Sequence, residues 1–392
     1  MLSQIFAVTG VNLKSIPQRW GPSLVIVIGL AGVVAVFTAL LAMAEGFSST
    51  LAATGSKDVA LILRGGSAAE LNSGLSRDEA ALIKLGPGIR KDADGKPLAS
   101  GEILVIAELF KKGETRNGSN ITVRGVEPAG FALRPKLRLI EGRMFKPGLR
   151  ELVVGRGVVK QFEGVEVGKS IRMRGSEWTV VGVFESGDAH ESELWTDAEI
   201  AQSSFGRGGY SSVLAGLDGE KSLKTLEASL KADPRVNVDL ISQQDYFSSQ
   251  TQQFRTTIGY LAGVVTVIMA LGAIFAALNT MYAAVATRAK EIATLRALGF
   301  GGMSVLVSVM FEALVLSLVG GLIGALIAYV LFNNLSVSTL GANFTQVVFA
   351  FKVTPALVGM GLAIAVCVGF IGGLLPSIRA ARMPVTTALR AG

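Results

Sequence analysis

Cysteine and histidine are almost missing from this 392-residue chain, which has one of each, Cys367 and His190. A lone cysteine excludes an intrachain disulfide, and a lone histidine makes triad chemistry or a histidine-rich metal site a poor reading. Charge is sparse too, at 17% of residues against about a quarter in ordinary soluble domains, while 50% are apolar and 47 are glycine. That composition excludes disorder and argues against a purely soluble protein. Acidic residues are scarce outside residues 44–257, where only Glu291 and Glu312 stand against nine lysines and arginines. The block 44–257 holds 28 residues of each sign, so the net charge of +7 lies wholly outside it. A basic excess confined to the ends of long apolar runs points to a membrane, and no nucleic-acid partner is expected.

Four apolar segments are long enough to cross a bilayer, whose core of about 30 Å takes roughly 20 helical residues. They are residues 24–43, 258–285, 305–332 and 357–375. Lys14, Arg19 and the Ala42-Met43-Ala44 stretch give the first the look of a signal peptide, but its apolar run exceeds the roughly 7 to 15 residues of a signal core, so it is expected to be retained. Lys14, Arg19, Arg288, Lys290, Arg296, Arg379, Arg382 and Arg390 flank the spans on one side, and only Lys352 lies in the loop opposite. The positive-inside rule then places both termini in the cytoplasm. The expected fold class is a membrane protein of four transmembrane α-helices, one plus three, with a large α+β extracytoplasmic domain inserted between the first two. The division is a cytoplasmic amphipathic segment (1–23), the first span, the extracytoplasmic domain (44–257), the second span, a cytoplasmic connection (286–304), the third span, a short outer loop (333–356), the fourth span and a cytoplasmic tail (376–392).

Strand-like runs in the large domain are Val59 to Leu63, Ile103 to Ala107, Ile121 to Val126, Leu152 to Val154, Ser170 to Met173, Trp178 to Phe184 and Val213 to Leu217. Ser76-Arg77-Asp78-Glu79 is a capping box ahead of a helix. Two small subdomains are expected, the first discontinuous, with Gln243 to Thr257 a helical stalk into the second span.

Gly164 to Ser170 imitates a phosphate-binding loop but has three residues between its glycines where four are needed, and it reads as a turn before a strand. The chain is therefore expected to carry no ATPase, and no catalytic or metal residue is assigned. His190, among Glu185, Asp188, Glu191 and Glu193, reads as part of a solvated loop, since ligands so close in sequence rarely close a tetrahedral site. Small residues recur at four-residue spacing in the spans, at Gly259 and Gly263, at Gly320 and Gly324, and at Gly361, Gly369 and Gly373. Such stripes allow close helix packing, within one subunit or across a dimer seam. Between the second and third spans, Ala286 to Leu298 contains no Gly or Pro; Arg288 and Glu291 can pair at i,i+3 while Ile292 and Leu295 mark another face. It reads as an amphipathic helix on the cytoplasmic membrane surface.

Asn279-Thr280-Met281, Arg288 to Ile292, Leu295 to Gly299 and Phe311-Glu312-Ala313 resemble the signature of MacB/FtsX-type ABC transporter permeases. The closing stretch is similar too: Pro376, Arg379, Arg382 and Pro384, then Leu389 and Arg390. Glu141-Gly142-Arg143, Glu151 to Gly155 and Trp178 to Phe184 resemble the family's periplasmic core. The resemblance implies a permease in a bacterial inner membrane, paired as a homodimer or with a paralogous permease and surrounded by membrane lipid. It also implies a separate ABC ATPase subunit that binds the ATP and Mg, this chain holding no cofactor. Arg288, Lys290, Glu291, Ile292, Leu295 and Arg296 would form the coupling helix on that ATPase, with Glu312 just above it. Three functions are compatible with the family: export through a periplasmic adaptor and outer-membrane channel, LolC/LolE-like lipoprotein release, and an FtsX-like scaffold that controls a cell-wall hydrolase.

Overall fold

The computed structural model describes residues 9–10, 20–114, 116, 118–340 and 346–384. Leu389, Arg390 and most of the segment 1–23 lie outside these residues. The chain divides into two compact units, one of residues 1–45, 255–335 and 351–392, the other of residues 46–254 and 336–350.

The first unit is built on the four long helices α1 (Trp20–Thr54), α2 (Gln243–Thr287), α4 (Gly302–Phe332) and α5 (Pro355–Arg382), with the short helix α3 (Ala289–Ala297) between α2 and α4. Each long helix has the length and apolar content to cross a membrane, with mean hydropathy of 2.3 to 2.9 over its most apolar window. The helices outrun the apolar runs that identify them. Helix α2 starts at Gln243 because no Gly or Pro interrupts the polar residues up to Thr257, and α5 continues through Pro376 to Arg382. The bundle closes where glycine lets backbones meet. A Cβ on Gly320 would stand 2.8 Å from the Val27 carbonyl oxygen, and one on Gly324 would collide with that of Ala31. On α5, Gly361 faces Val34 of α1, Gly369 faces Ser317 and Gly373 faces Ala313 of α4. These five glycines therefore serve packing inside the protomer. Gly259 and Gly263 of α2 meet nothing.

The second unit is a mixed sheet of ten strands in the order β10-β1-β9-β2-β3-β8-β5-β7-β4, with β6 paired to β7. The strands are β1 (Val59–Arg64), β2 (Ala99–Leu109), β3 (Ser119–Val126), β4 (Arg138–Gly142), β5 (Glu151–Gly155), β6 (Ser170–Met173), β7 (Ser176–Glu185), β8 (Glu193–Asp197), β9 (Ser212–Gly216) and β10 (Val238–Ser242). Strands β4, β8 and β10 lie outside the seven runs read from the sequence. Charges at both ends of β8 mask it, and burial tolerates Glu193 because Arg124 pairs with it and the Trp195 indole N–H donates to it. Besides a smaller cluster around Phe184 and Trp195, the described residues of the sheet unit form two apolar cores, one around Trp178, Leu152 and Ile121, the other around Ile62, Ile83 and Leu226. One strand stitches them together: Ala99 to Glu102 of β2 pair with β9, and Ile103 to Leu109 pair with β3. The capping box forms, since Ser76 Oγ accepts from the Glu79 N–H while the Glu79 carboxylate accepts from the Ser76 N–H.

The loop 333–356 is not plain loop. It folds into a hairpin of β11 (Ser336–Leu340) and β12 (Gln346–Ala350) that belongs to the sheet unit, where the Val348 N–H donates to Ser192 Oγ at 2.7 Å and Phe349 meets Phe47 edge to face.

Candidate functional site

The helix expected over Ala286 to Leu298 is broken between the end of the second span and a separate short helix. Helix α2 ends at Thr287, Arg288 leaves helical geometry at φ −96° and ψ 8°, and α3 begins at Ala289. Thr287 Oγ1 donates back to the Ala284 carbonyl at 2.9 Å, a bond that competes with the helix ladder and favours a bend here. Gly299 at φ +95° then ends the α3 turn, a conformation that costs glycine nothing.

The break turns Arg288 inward. Its Nη1 and Nη2 donate to the two carboxylate oxygens of Glu312 on α4 at 2.7 and 2.8 Å, and both side chains are almost wholly buried. The i,i+3 partner read from the sequence, Glu291, is not the one Arg288 takes. Instead Glu312, the one acid in the third span, pairs with the buried guanidinium, as a charge in such surroundings requires. Arg288 Nε is buried without a hydrogen-bond partner. Cavities of ≈350 and ≈330 Å³ flank the pair, the first lined by Ile292, Leu295 and Val309, the second by Ile26, Thr280 and Leu316.

Arg296 is also occupied. Its Nη1 donates to the carbonyls of Ala381 at 3.1 Å and Met383 at 2.7 Å, filling acceptors that the end of α5 leaves open. Ile292 is buried in the bundle core with Val305 and Val309. The face of α3 that remains exposed carries Lys290, Glu291 and Thr294, with Leu298 just beyond the helix 73% exposed. From the C-terminal motif, Pro376 is buried, Arg379 lies over the Tyr282 ring at 5.4 Å, and Arg382 and Pro384 are exposed. The sequence-predicted set thus splits into anchors, Arg288, Ile292, Arg296 and Glu312, and an outward face.

The model of the MacB-like periplasmic core domain matches residues 23–233, and that of the FtsX-like permease C-terminal domain matches residues 263–385. The chain belongs to the MacB/FtsX type of ABC transporter permease. The permease is 24% identical to an uncharacterized ABC transporter permease, YvrN, of Bacillus subtilis over 97% of its own length and 96% of that protein. It is 26% identical to the macrolide export ATP-binding/permease protein MacB of Hahella chejuensis, over 60% of this chain and 36% of that longer one. The extracellular domain of the transporter YknZ from Gram-positive bacteria aligns with 47% of the chain at 16% identity and a TM-score of 0.37.

The permease's extracytoplasmic domain contains a second concentration of charge that sequence reading missed. Arg124 of β3 bonds Glu70 at 2.9 Å, Glu102 at 2.8 Å and Glu193 at 2.8 Å, and Arg134 grips Glu102 at 2.6 and 2.7 Å. Burial by itself would raise the Glu70 and Glu193 carboxyls, but the Arg124 guanidinium outweighs it and holds both below the usual carboxylate range. His190, read as solvated, is 2% exposed. Arg134 Nε donates to its Nε2 at 3.2 Å, so Nδ1 carries the proton and faces Asp188 Oδ1 at 3.1 Å. Among the described residues no group of three or more His, Cys, Asp or Glu is placed to hold a metal. Gly164 to Ser170 is a turn leading into β6, with Gly164 and Gly168 both at positive φ.

Proposed function

We propose that the permease transmits force: ATP-driven closure of a separate ATPase dimer pushes on α3, and the extracytoplasmic domain moves in response. The observation that carries this reading is the division of labour on α3, whose inner residues are tied into the bundle while Lys290, Glu291 and Thr294 face outward. The spans support it. The only Asp, Glu, Lys or Arg in the four apolar runs is Glu312, which is already paired, so a polar route for a solute through one protomer is missing among them. Substrate is then handled outside, where the large domain would release or export an envelope molecule, with an adaptor and outer-membrane channel in the export version. The chain acts as the non-catalytic subunit, in the inner membrane, as one half of a dimer.

The test is Glu291→Lys. A charge-assisted contact with the ATPase that loses its partner costs about 2–5 kcal/mol, whereas an exposed pair is worth at most about 1. The variant should insert normally yet lose co-purification with the ATP-binding subunit or the turnover of the complex. Wild-type values for both would show that α3 is only a membrane-surface anchor, which an added positive charge does not harm.

A further inference from the structure

Helix α3 is covalently continuous with the second span but is held by the third and fourth. The chain leaves helical geometry at Arg288, so α2 and α3 do not form one rigid rod. Two charge-assisted connections cross from the α3 region to other helices: the bidentate Arg288–Glu312 pair to α4, and Arg296 to the last carbonyls of α5. The two cavities beside the ion pair mean that side-chain packing leaves space at this level, and the pair itself bridges it. A bidentate guanidinium–carboxylate contact fixes direction as well as distance.

We infer that Arg288 and Glu312 are positioning residues, a buried latch that pins the α2–α3 junction to α4, so that α3, held there and through Arg296 at the end of α5, moves with the third and fourth spans while α2 pivots at the junction. Resting on the reading that α3 receives the stroke, this passes the displacement into the third and fourth spans. Glu312 would then act through Arg288 and need not touch the ATPase.

The experiment uses the full chain in nanodiscs, in a Cys367→Ala background, with nitroxide pairs at Thr294→Cys and Leu326→Cys (α3 to α4) and at Thr294→Cys and Val267→Cys (α3 to α2). Without any partner, the α3–α4 distance distribution should be narrow in the wild type, broad or bimodal in Glu312→Gln, and narrow again in the charge swap Arg288→Glu with Glu312→Arg. An unchanged distribution in Glu312→Gln overturns the latch. A swap that folds, by its melting and elution profile, yet stays broad also overturns it, because ion pairing would not then be what holds the helices. Should Glu312→Gln fail to assemble, Arg288→Lys, which keeps the charge and loses the fork, is expected to broaden the same distribution, and a narrow one overturns the latch. With the ATP-binding subunit and nucleotide added, the α3–α2 distance should change and the α3–α4 distance should not; the reverse pattern makes the second span the lever and overturns the route. Failure of the Glu291→Lys test leaves the partner-free distances standing, so the two readings fail separately.

Discussion

Arg124 is buried in the extracytoplasmic domain facing three buried carboxylates. Arg124→Met would leave Glu70 and Glu193 without a cation in low dielectric, while Glu102 keeps Arg134, and is expected to cost about 3–5 kcal/mol, seen as faster hydrogen exchange in β2, β3 and β8. The pH dependence follows from the lowered carboxyls of Glu70, Asp188 and Glu193. A carboxyl whose folded pKa lies below its unfolded value adds stability above the ordinary range and loses it as pH falls through the depressed value. Exchange protection of β3 and β8 should therefore hold from neutral pH down to roughly pH 4 and fall below it. In Arg124→Met the sign reverses, since a buried carboxyl without its cation favours the neutral form, and mild acid should partly restore protection. None of this was legible in the sequence. Arg124 and Glu70 are distant in the chain, and the acids around His190 suggested solvent until Arg134 and Asp188 were seen to enclose its ring.

At the level of the element, the small-residue stripes separate into two kinds. Gly324→Val and Gly369→Val would drive a side chain into the Ala31 carbonyl and into Ser317, and overpacking of this sort costs about 1–3 kcal/mol or more where backbone is in the way. Both variants should lower the melting temperature of the detergent-solubilised permease. Gly263→Ala, which meets nothing inside the protomer, should leave it unchanged. A four-residue repeat of glycine looks the same in both cases, because spacing shows that a helix can pack closely but not against what. Helix α3 shows the same limit. Ala286 to Leu298 contains no breaker, yet the helix expected there breaks at Arg288, where a side chain from the next span offers a better partner than Glu291.

For the molecule as a whole, orientation is the property to test. Cysteines at Ser203 and at Thr294, both exposed positions, should report opposite sides of the membrane in the Cys367→Ala background. An impermeant thiol reagent is expected to label Ser203→Cys in intact spheroplasts and to spare Thr294→Cys; labelling of Thr294→Cys alone would invert the topology. The expectation rests on eight flanking basic residues against one.

The sequence by itself determined the fold class, four spans in one-plus-three order around a large extracytoplasmic domain, and the family. Apolar length is a local property, and a motif such as Arg288 to Gly299 is contiguous, so both survive without coordinates. Only the tertiary structure decided which partner each charge takes. Glu291 and Glu312 both offered Arg288 a carboxylate, and the packing of α4 against the break after Thr287 is what brings Glu312 to 2.7 Å. The same holds for the hairpin in the loop 333–356, whose polar and β-branched residues become strands because Ser192 and Phe47, far away in the chain, supply the surface on which they settle.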